Sequence, residues 1–365
     1  MASVEKYEIK SGTRYMARWR DSEGKQRLKR GFHRRRDALA YGSELEVAKA
    51  KGQYLGPENS RVSFRMVAEE WFDSLVHLKP TTRNSYRHHL DSRILRKFGN
   101  REIGSITHAE LQRWVTELSK ELKASSLRYP VHVVSAVLSY AIKTRRIGHN
   151  PSDDLNLPRV VRDEKAYLTH GQVETLAQGV ANDYRALIYV LAYSGLRIGE
   201  AIALRVRDVD LDRRRLSVHR AAAETGGQLV MGTPKSHEKR SVPLPAFVAE
   251  MMRDHMNAEV GPNDLVFPGT RGAMIRPNNF RKRVFGPAVA QSALSDPTFP
   301  ASLTPHGLRH TCASLAVSAG ANVKALQKLL GHASASMTLD RYADLFDSDL
   351  DDVAERLDAQ RRSQK

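Results

Sequence analysis

Apolar and polar residues alternate in short runs near the start of the chain and then change to a helical spacing. The runs YEIK, RYMARWR and QRLKRGF each alternate with a period of two, and turn-forming residues separate them at 11–12 and 21–24. Such alternation is typical of strands that bury one face. Residues 34–50 then have apolar positions at helical spacing. The pattern predicts a three-stranded sheet with a helix over one face and the other face exposed.

The next part of the chain is predicted to be a helical bundle. Residues 55–62 are rich in turn-forming residues without periodicity and indicate a linker. Thr107 and Ser125 are the expected N-caps of the third and fourth helices, and Gly148 ends the series. Helices with such short connections predict a four-helix bundle. Its segments with helical spacing are 64–77, 81–96, 107–122 and 124–145.

The C-terminal half combines helices with a small β element. An irregular stretch at 150–165 separates it from the bundle. Two strand-like runs, 215–222 and 240–245, flank a glycine-rich region that is typical of antiparallel turns. The remaining pattern from residue 169 onward is mainly helical.

These patterns predict three domains. We expect the sheet domain over residues 1–58, the helical bundle over 63–155 and a mixed α/β domain over 165–365. The fold class is therefore mainly α with small β-sheets. The last domain is predicted to end in a short amphipathic tail helix, whose apolar residues at helical spacing are Leu350, Val353 and Leu357.

The charge of the chain indicates a polyanionic partner. There are 58 Lys and Arg against 41 Asp and Glu, a formal net charge of +17, and the pI is near 10.0. Such an excess is expected of proteins that bind nucleic acid, although a solvated basic surface has the same composition.

Cysteine content and hydropathy exclude several protein classes. Cys312 is the only cysteine, which excludes a disulfide framework or a Cys-based zinc finger within one chain. No apolar run approaches the roughly 18 residues of a membrane span, and the N-terminus lacks the apolar stretch of a secretion signal. We expect a cytoplasmic protein in a reducing compartment.

Two regions carry residues that suit DNA contacts. Ten basic residues between positions 14 and 36 are interleaved with Tyr15 and Trp19, as in sheets that lie in a DNA groove. A solvated basic hairpin is the alternative. Polar residues at the starts of the second and fourth bundle helices suit phosphates, or serve only as helix caps. The candidate DNA-contacting residues are Arg14, Arg18, Arg20, Lys29, Thr81, Arg83, Arg87, Lys123 and Ser125.

Arg197 lies in the apolar segment LAYSGLRIGEAIAL, which Gly195 interrupts. A guanidinium in such surroundings must find an anion or several acceptors, because an unpaired buried charge is costly. Glu200, three positions later, can brace it on the same helix face. The segment therefore indicates either an internal ion pair or a functional arginine that a carboxylate holds in place.

A second candidate cluster lies in TPHGLRHTCASLAVSAG. Thr304 is the expected N-cap, and the first helical turn then carries His306, Arg309 and His310 next to the positive end of the helix, which suits an anion. The two histidines are four residues apart, as in HExxH zinc sites. Gly307 replaces the glutamate of that motif and no third ligand is near in sequence, so zinc is the minor alternative.

The third candidate cluster is KALQKLLGHASASMTLDRYADL. Gly331 ends an apolar helix, His332 follows it, and Tyr342 comes shortly afterwards in a polar stretch. A single tyrosine is most often a half-buried core residue. The charged residues that flank Tyr342 favour a mobile or exposed position for it.

The motifs occur together in a familiar order. SGLRIGE is followed by TPKS with Lys235, then by HGLRH, LLGH and LDRY. In this order and at these spacings they resemble the tyrosine recombinase family, specifically phage-type and mobile-element integrases. The resemblance spans the whole chain in outline and is most specific from Gly195 to Tyr342, with no departure at the catalytic positions.

The resemblance implies a site-specific DNA recombinase with Tyr342 as its nucleophile. Attack on a phosphate would produce a 3′-phosphotyrosyl link and a free 5′-hydroxyl, and this conserves the bond energy so that resealing needs no ATP. Arg197, Arg309 and His332 would stabilise the charged transition state. Lys235 would donate a proton to the departing 5′ oxygen.

The resemblance also implies supporting roles. His306 would accept the proton of Tyr342 or bind the phosphate, and Glu200 would hold Arg197 in place. No metal and no cofactor is expected, because guanidinium groups take the electrostatic role of a metal ion.

The resemblance further implies partners and an assembly. The N-terminal sheet would be an arm-type DNA-binding domain, the bundle a core-binding domain, and the last domain catalytic. The expected complex is a homotetramer on double-stranded attachment sites in the bacterial cytoplasm, associated with the nucleoid. An excision directionality factor and a host DNA-bending protein are expected accessories. The tail helix would dock on a neighbouring subunit or on its own domain.

Three other interpretations compete with the integrase. A type IB topoisomerase has the same attacking chemistry but relaxes supercoils as a monomer. A non-catalytic DNA-binding protein that keeps the fold would have lost catalytic residues, and all of them are present. A zinc hydrolase would be sensitive to chelators. The arm-like region and the tail favour the integrase.

Overall fold

A computed structural model describes residues 2–21, 24–50, 59–161, 166–233, 239–256, 261–346, 357–359 and 361–362. Lys235 of the predicted turn, and Leu350 and Val353 of the predicted tail helix, lie outside these residues. The chain divides into two compact units, residues 1–162 and 163–365. No helix in the described part of the chain is long and apolar enough to cross a membrane.

The N-terminal segment forms the predicted antiparallel sheet with a helix on one face. The strands are β1 (Ser3–Ile9), β2 (Gly12–Arg20) and β3 (Gln26–Phe32), in the order β1-β2-β3, and α1 (Arg35–Ala50) follows. Ala17 is fully buried, and the Trp19 ring meets the Tyr41 ring of α1 edge to face at 5.8 Å. The face of β2 that carries these two residues is therefore the covered one.

The helical bundle follows the predicted pattern with one interruption. A π-helical turn, Leu90–Ile94, divides the predicted second helix. Thr107 is an N-cap as predicted, because its side chain accepts a hydrogen bond from the backbone N–H of Glu110. The prediction for Ser125 is wrong, since Lys123 is the N-cap of the last helix. The α-helices are α2 (Phe64–Ser74), α3 (Pro80–His89), α4 (Leu95–Phe98), α5 (His108–Ser119) and α6 (Ala124–Lys143).

The second unit is mainly helical. Its central helix, α8, has no exposed face between Ala186 and Ala192 because other helices surround it. A helix that is apolar on all sides is expected in a core. The α-helices of this unit are α7 (His170–Gln178), α8 (Asn182–Ser194), α9 (Ile198–Ala201), α10 (Ala246–His255), α11 (Pro277–Phe280), α12 (Gly286–Ser295), α13 (Pro305–Ser318), α14 (Val323–Leu330) and α15 (Ala335–Tyr342).

Two small antiparallel sheets complete the second unit. The predicted strand at 215–222 is divided between them, because the buried carboxylate of Asp208 binds His219 and Arg220 at the point where the chain leaves one sheet for the other. One sheet has the order β4-β5-β8 and the other is the hairpin β6-β7. The strands are β4 (Val209–Asp210), β5 (Arg215–Val218), β6 (Ala221–Thr225), β7 (Gln228–Gly232) and β8 (Arg240–Pro243).

Candidate active site

Arg197 lies immediately after a sharp change of chain direction. Gly195 ends α8 in the left-handed conformation, with φ of +64°, and a Cβ there would approach Leu330 Cδ2 to 2.7 Å. Glycine is therefore required at this position. Arg197 then begins α9, and its side chain keeps 27% of its surface exposed. The arginine is accessible to a ligand, in contrast to the buried position that its apolar neighbours predicted.

Glu200 is the buried group of this segment, with 1% of its side chain exposed. Its carboxylate accepts hydrogen bonds from the backbone N–H of Arg197 at 3.0 Å and from Arg197 Nη1 at 2.9 Å. Burial by itself would raise the pKa of Glu200, but hydrogen bonds and charge from Arg240 and Arg197 outweigh it and lower that pKa. An ionised Glu200 therefore orients Arg197, as predicted from the three-residue spacing.

Arg240 is a second partner of Glu200 that sequence reasoning missed. From β8, Arg240 Nη1 and Nη2 donate to the two oxygens of Glu200 at 3.1 and 2.6 Å. The side chain is 9% exposed, and its stem lies against Gly331, where a Cβ would approach Arg240 Cδ to 2.8 Å. The sequence of this strand, RSVP, offers no signal for such a contact. Arg240 thus connects the strand after the predicted lysine turn with Glu200 and Gly331.

Replacement of Arg240 by methionine is expected to lower the free energy of unfolding by about 3 kcal/mol, because it removes the bidentate partner of a buried carboxylate. Thermal unfolding followed by circular dichroism measures this loss. Arg253→Met is the matched control, since Arg253 and Asp212 form an exposed pair at 3.7 Å. Such a pair contributes about 1 kcal/mol or less. Equal melting temperatures for the two variants would contradict the role assigned to Arg240.

Arg309 connects two helix ends inside the second unit. It lies on α13 with 2% of the residue exposed, and it donates to the carbonyl of Gly195 at 2.6 Å and to that of Leu330 at 2.5 Å. These carbonyls belong to the C-terminal ends of α8 and α14, where the helix dipole favours a cation. Burial and the nearby Arg197 lower the pKa of Arg309 to about 10, so it remains charged at neutral pH.

His332 follows α14 and is buried next to the predicted nucleophile. Its Nδ1 lies 2.9 Å from Thr338 Oγ1, and its ring is parallel to that of Tyr342 at 6.2 Å between centroids. Burial and the charges of Arg309 and other arginines lower the pKa of His332 to about 4. The imidazole is therefore neutral at physiological pH.

Tyr342 is buried, so the exposed alternative of the predicted mobile or exposed position is wrong. It ends α15 and is 1% exposed, in a cluster with Ala313 and Leu330. The charged neighbours that suggested exposure lie on the outer side of the same short helix, because successive residues of a helix point in different directions. Burial raises the pKa of Tyr342 to about 12, although Arg309 and Arg341 partly oppose this. The phenol is protonated at neutral pH.

The phenol oxygen of Tyr342 contacts His310, whose Nδ1 lies 2.7 Å from Tyr342 Oη. His306 is on the exposed side of the first turn of α13, and its ring packs edge to face against His310 at 5.0 Å. Thr304 caps this helix by accepting from the backbone N–H of Gly307, as predicted. Within the described residues, no group of three or more His, Cys, Asp or Glu side chains comes together in a way that could hold a metal ion.

The second unit thus collects most of the predicted catalytic residues in one place. Arg309 is within electrostatic range of Arg197 and Tyr342, and His332 is within range of Arg309 and Arg197. Lys235, between β7 and β8, lies outside the described residues. Two cations, a neutral imidazole and a phenol in one site suit the stabilisation of a phosphate during attack by an oxygen nucleophile.

Comparison with known proteins identifies the family. Residues 166–349 match the family model described as Phage integrase family, and residues 63–119 match the model of the phage integrase N-terminal SAM-like domain. Over 265 residues, the sequence is 31% identical to the integrase of Mycobacterium phage D29, with 71% of this chain and 68% of that protein covered. The chain belongs to the phage integrase family. It is a tyrosine-type site-specific DNA recombinase, as the motifs predicted.

Other relatives and solved structures agree with this family and fold. Tyrosine recombinase XerC of Pelobacter propionicus is 26% identical over 259 residues, which cover 66% of this chain and 78% of that protein. The integrase of transposon Tn1549, in complex with a circular intermediate DNA, superposes with a TM-score of 0.68 at 21% identity, over 76% of this chain and 94% of that one. A lambda integrase tetramer bound to a Holliday junction has a TM-score of 0.60 at 18% identity, over 91% and 96%. The structural matches concern the fold.

The N-terminal sheet of this integrase places most of its predicted DNA contacts on the open face. Arg14, Arg18 and Arg20 alternate along β2 on the face opposite Ala17, and Arg18 pairs with Glu5 at 2.9 Å. Lys29 does not belong to this set. It pairs with Ala17 across the strands, and its ammonium lies 4.2 Å from the centre of the Tyr41 ring of α1.

Arg30 was missed by the sequence prediction and lies on the open face. Its guanidinium is 5.9 Å from the centre of the Tyr7 ring, on the strand that pairs with the open-face positions of β2. Lys29 pairs with Ala17 on the covered side, so alternation along β3 places the next residue, Arg30, on the open face. The register shift between Tyr15 and Ala17 follows Arg30 and returns Phe32 to the covered side, where its ring lies 5.5 Å from that of Tyr41.

In the bundle, some of the predicted DNA-contacting residues already interact with other protein groups, and others are exposed. Arg87 is held by Glu69 at 2.6 Å and also by Asp91, and its pKa is raised by both carboxylates. Arg83 lies over the Phe72 ring at 4.5 Å and donates to the carbonyl of Leu75. Asp91 is four residues from Arg87 and forms an i,i+4 pair that the sequence shows, whereas Glu69, Phe72 and Leu75 come from other parts of the bundle. Thr81 is half-buried, while Lys123 and Ser125 are exposed at the start of α6.

Proposed function

We propose that this integrase breaks and rejoins DNA through attack of Tyr342 on a phosphate held by Arg197 and Arg309, in the integration or excision of a mobile element. The observation that carries the proposal is the bridge from Arg309 to the carbonyls of Gly195 and Leu330. This bridge ties the segment before Arg197 to the helix end before His332, which supports a single phosphate site built from distant parts of the chain.

The chemistry follows from the charge that develops on the phosphate. The nonbridging oxygens gain negative charge during attack, and the fixed donor forks of Arg197 and Arg309 match it. His332 is neutral at physiological pH, so it can donate a hydrogen bond to the phosphate without changing its own protonation state. The new bond joins Tyr342 Oη to the 3′ phosphate, and the bond to the 5′ oxygen breaks. Lys235 donates the proton that the departing 5′ oxygen takes up.

Covalent trapping tests this proposal. The full-length protein is incubated with attachment-site duplex nicked near the scissile phosphate, so that a short 5′-hydroxyl fragment diffuses away and the adduct accumulates. Proteolysis and mass spectrometry of the adduct are expected to locate the nucleotide on the peptide that contains Tyr342, attached through a 3′ phosphate. A nucleotide on any other peptide, or a link through a 5′ phosphate, would overturn the proposal.

We also propose that the recombination reaction requires a tetramer. Lambda integrase, which shares this fold, forms a tetramer on a Holliday junction, and site-specific exchange needs four strand cleavages. Recombination between two sites on one plasmid distinguishes this activity from that of a type IB topoisomerase, which relaxes supercoils without exchanging sites. Relaxation without recombinant product would favour the topoisomerase. We place the reaction in the bacterial cytoplasm at the nucleoid, with a directionality factor and a bending protein as accessories.

The open face of the N-terminal sheet is proposed to bind arm-type DNA. Replacement of both Arg20 and Arg30 by alanine is expected to lower the affinity for an arm-site duplex by about tenfold. It should also reduce the slope of log K against log salt concentration by roughly 2, because each arginine accounts for one phosphate contact. Fluorescence anisotropy over a salt series measures both. Lys29→Ala is the matched control because its ammonium lies over Tyr41 on the covered side. If Lys29→Ala weakens binding as much as the double variant, the open-face assignment is wrong.

A further inference from the structure

The residue that meets the nucleophile in the second unit is not the histidine that the motif comparison selects. The family pattern assigns His306 to proton transfer or phosphate binding. In the structure, His310 Nδ1 lies 2.7 Å from Tyr342 Oη, while the His306 ring packs edge to face against His310 at 5.0 Å. The two histidines are four residues apart on α13 and so form a short row along one side of the helix.

We propose that His310 is the catalytic proton acceptor for Tyr342, a role that rests on the proposed function above. As Oη forms its bond to phosphorus, the phenol proton moves to His310 Nδ1 and makes an imidazolium. The bond between phosphorus and the 5′ oxygen breaks in the same step, and that oxygen takes its proton from Lys235. In rejoining, the 5′-hydroxyl attacks phosphorus and gives its proton back to Lys235, while the bond between phosphorus and Tyr342 Oη breaks and His310 returns its proton to the phenolic oxygen.

The geometry favours this assignment over His332. His332 Nδ1 is already bound to Thr338 Oγ1 at 2.9 Å, and its ring lies parallel to the phenol ring. A proton acceptor must be within hydrogen-bonding distance of the proton that it removes, and His310 meets this requirement before DNA is added. The half-buried position of His310 beside His306 also limits the orientations that its ring can adopt.

The surroundings of the phenol make a proton acceptor necessary. Tyr342 is buried, and burial raises its pKa to about 12, so a spontaneous phenolate is rare at neutral pH. Nearby arginines stabilise a phenolate but carry no acceptor. Among the described residues, the charged and titratable groups around Tyr342 and His310 include Arg309, Arg341, Tyr167, Cys312, His306 and His332.

His310→Asn separates proton transfer from positioning. The asparagine side chain places an amide atom close to the position of Nδ1, so it keeps a hydrogen-bonding partner for Oη but has no basic nitrogen. The experiment uses the full-length protein and nicked attachment-site DNA at saturating protein, and it measures the single-turnover rate of adduct formation. His306→Asn is the matched control on the same side of α13.

We expect His310→Asn to slow adduct formation by about 100-fold or more, the usual contribution of a general base, with DNA affinity and melting temperature near wild type. Its rate should rise steeply as pH increases, since hydroxide replaces the missing acceptor. His306→Asn should lower the rate of adduct formation less than His310→Asn does. In His310→Ala, added imidazole should restore part of the rate, which a purely structural contact would not allow.

Two results would overturn the proposal. A His310→Asn rate within threefold of wild type would show that the contact only positions the phenol. A larger loss in His306→Asn than in His310→Asn would transfer the role to His306. Failure of the proposed function is a different outcome, because wild-type protein would then form no adduct at Tyr342.

Discussion

Tyr342→Phe is expected to form no detectable covalent adduct with nicked attachment-site DNA. The phenyl ring has no oxygen to attack phosphorus, and loss of a covalent nucleophile typically lowers the rate by several orders of magnitude. Tyr342 is 1% exposed in a small apolar cluster, so the phenylalanine fills the same space but lacks the hydroxyl that contacts His310. Gel electrophoresis under denaturing conditions measures the adduct, and a mobility shift measures binding, which should remain near wild type.

Tyr167→Phe is the matched control for that loss. Tyr167 is close enough to Tyr342 to affect its pKa, and burial raises its own pKa. It is therefore the second phenol of the same neighbourhood, with no assigned role in attack. We expect it to keep the adduct. An undiminished adduct in Tyr342→Phe, together with its loss in Tyr167→Phe, would assign the nucleophile to Tyr167.

Arg197→Ala is expected to lower the single-turnover cleavage rate by about 100-fold or more while DNA affinity falls only a few-fold, because its donors act mainly on charge that develops in the transition state. Its side chain is 27% exposed, and its interactions with Glu200 are shared with Arg240. The protein should therefore keep its melting temperature. Quenched-flow cleavage, equilibrium binding and thermal unfolding measure the three quantities.

Arg309→Ala should slow cleavage as much as Arg197→Ala but also destabilise the second unit. Its removal leaves the buried carbonyls of Gly195 and Leu330 without that donor, and each unsatisfied group costs about 1–3 kcal/mol. The two variants thus distinguish Arg197, which acts on the phosphate, from Arg309, which also stabilises the structure of the site. Equal losses of binding and cleavage in both would identify them as DNA anchors without a transition-state role.

Local pattern predicted the elements of this integrase well where one face of each element is buried. The three strands, α1 and the bundle helices follow from periods of two and 3.6, because burial imposes those periods. The pattern was wrong where tertiary contacts override it. The strand at 215–222 is divided because Asp208, which precedes it by several residues, binds His219 and Arg220. The bulge that returns Phe32 to the covered face of the sheet has a similar origin in strand pairing.

The chemical identity of the site was also readable, but its contacts were not. Motif order was sufficient to name the family, because the chemistry needs an arginine pair, histidines and a tyrosine of fixed type. Arg240 carried no such signal, since its importance comes from its contact with Glu200. His310 belonged to the HGLRH motif, but its contact with Tyr342 Oη was not readable from the sequence. The predicted exposure of Tyr342 was wrong for the same reason: charged neighbours describe one side of a helix and not the other.

The sequence alone determined the class of element in each region, the basic character of the surface and the family of the enzyme, because periodicity, charge and residue type are local properties. Tertiary structure alone decided which histidine meets the phenol, which arginine holds Glu200 and which basic side chains lie on the open face of the sheet. Those choices depend on distances of a few ångströms between segments far apart in the chain, and such distances arise only when the helices and strands have packed.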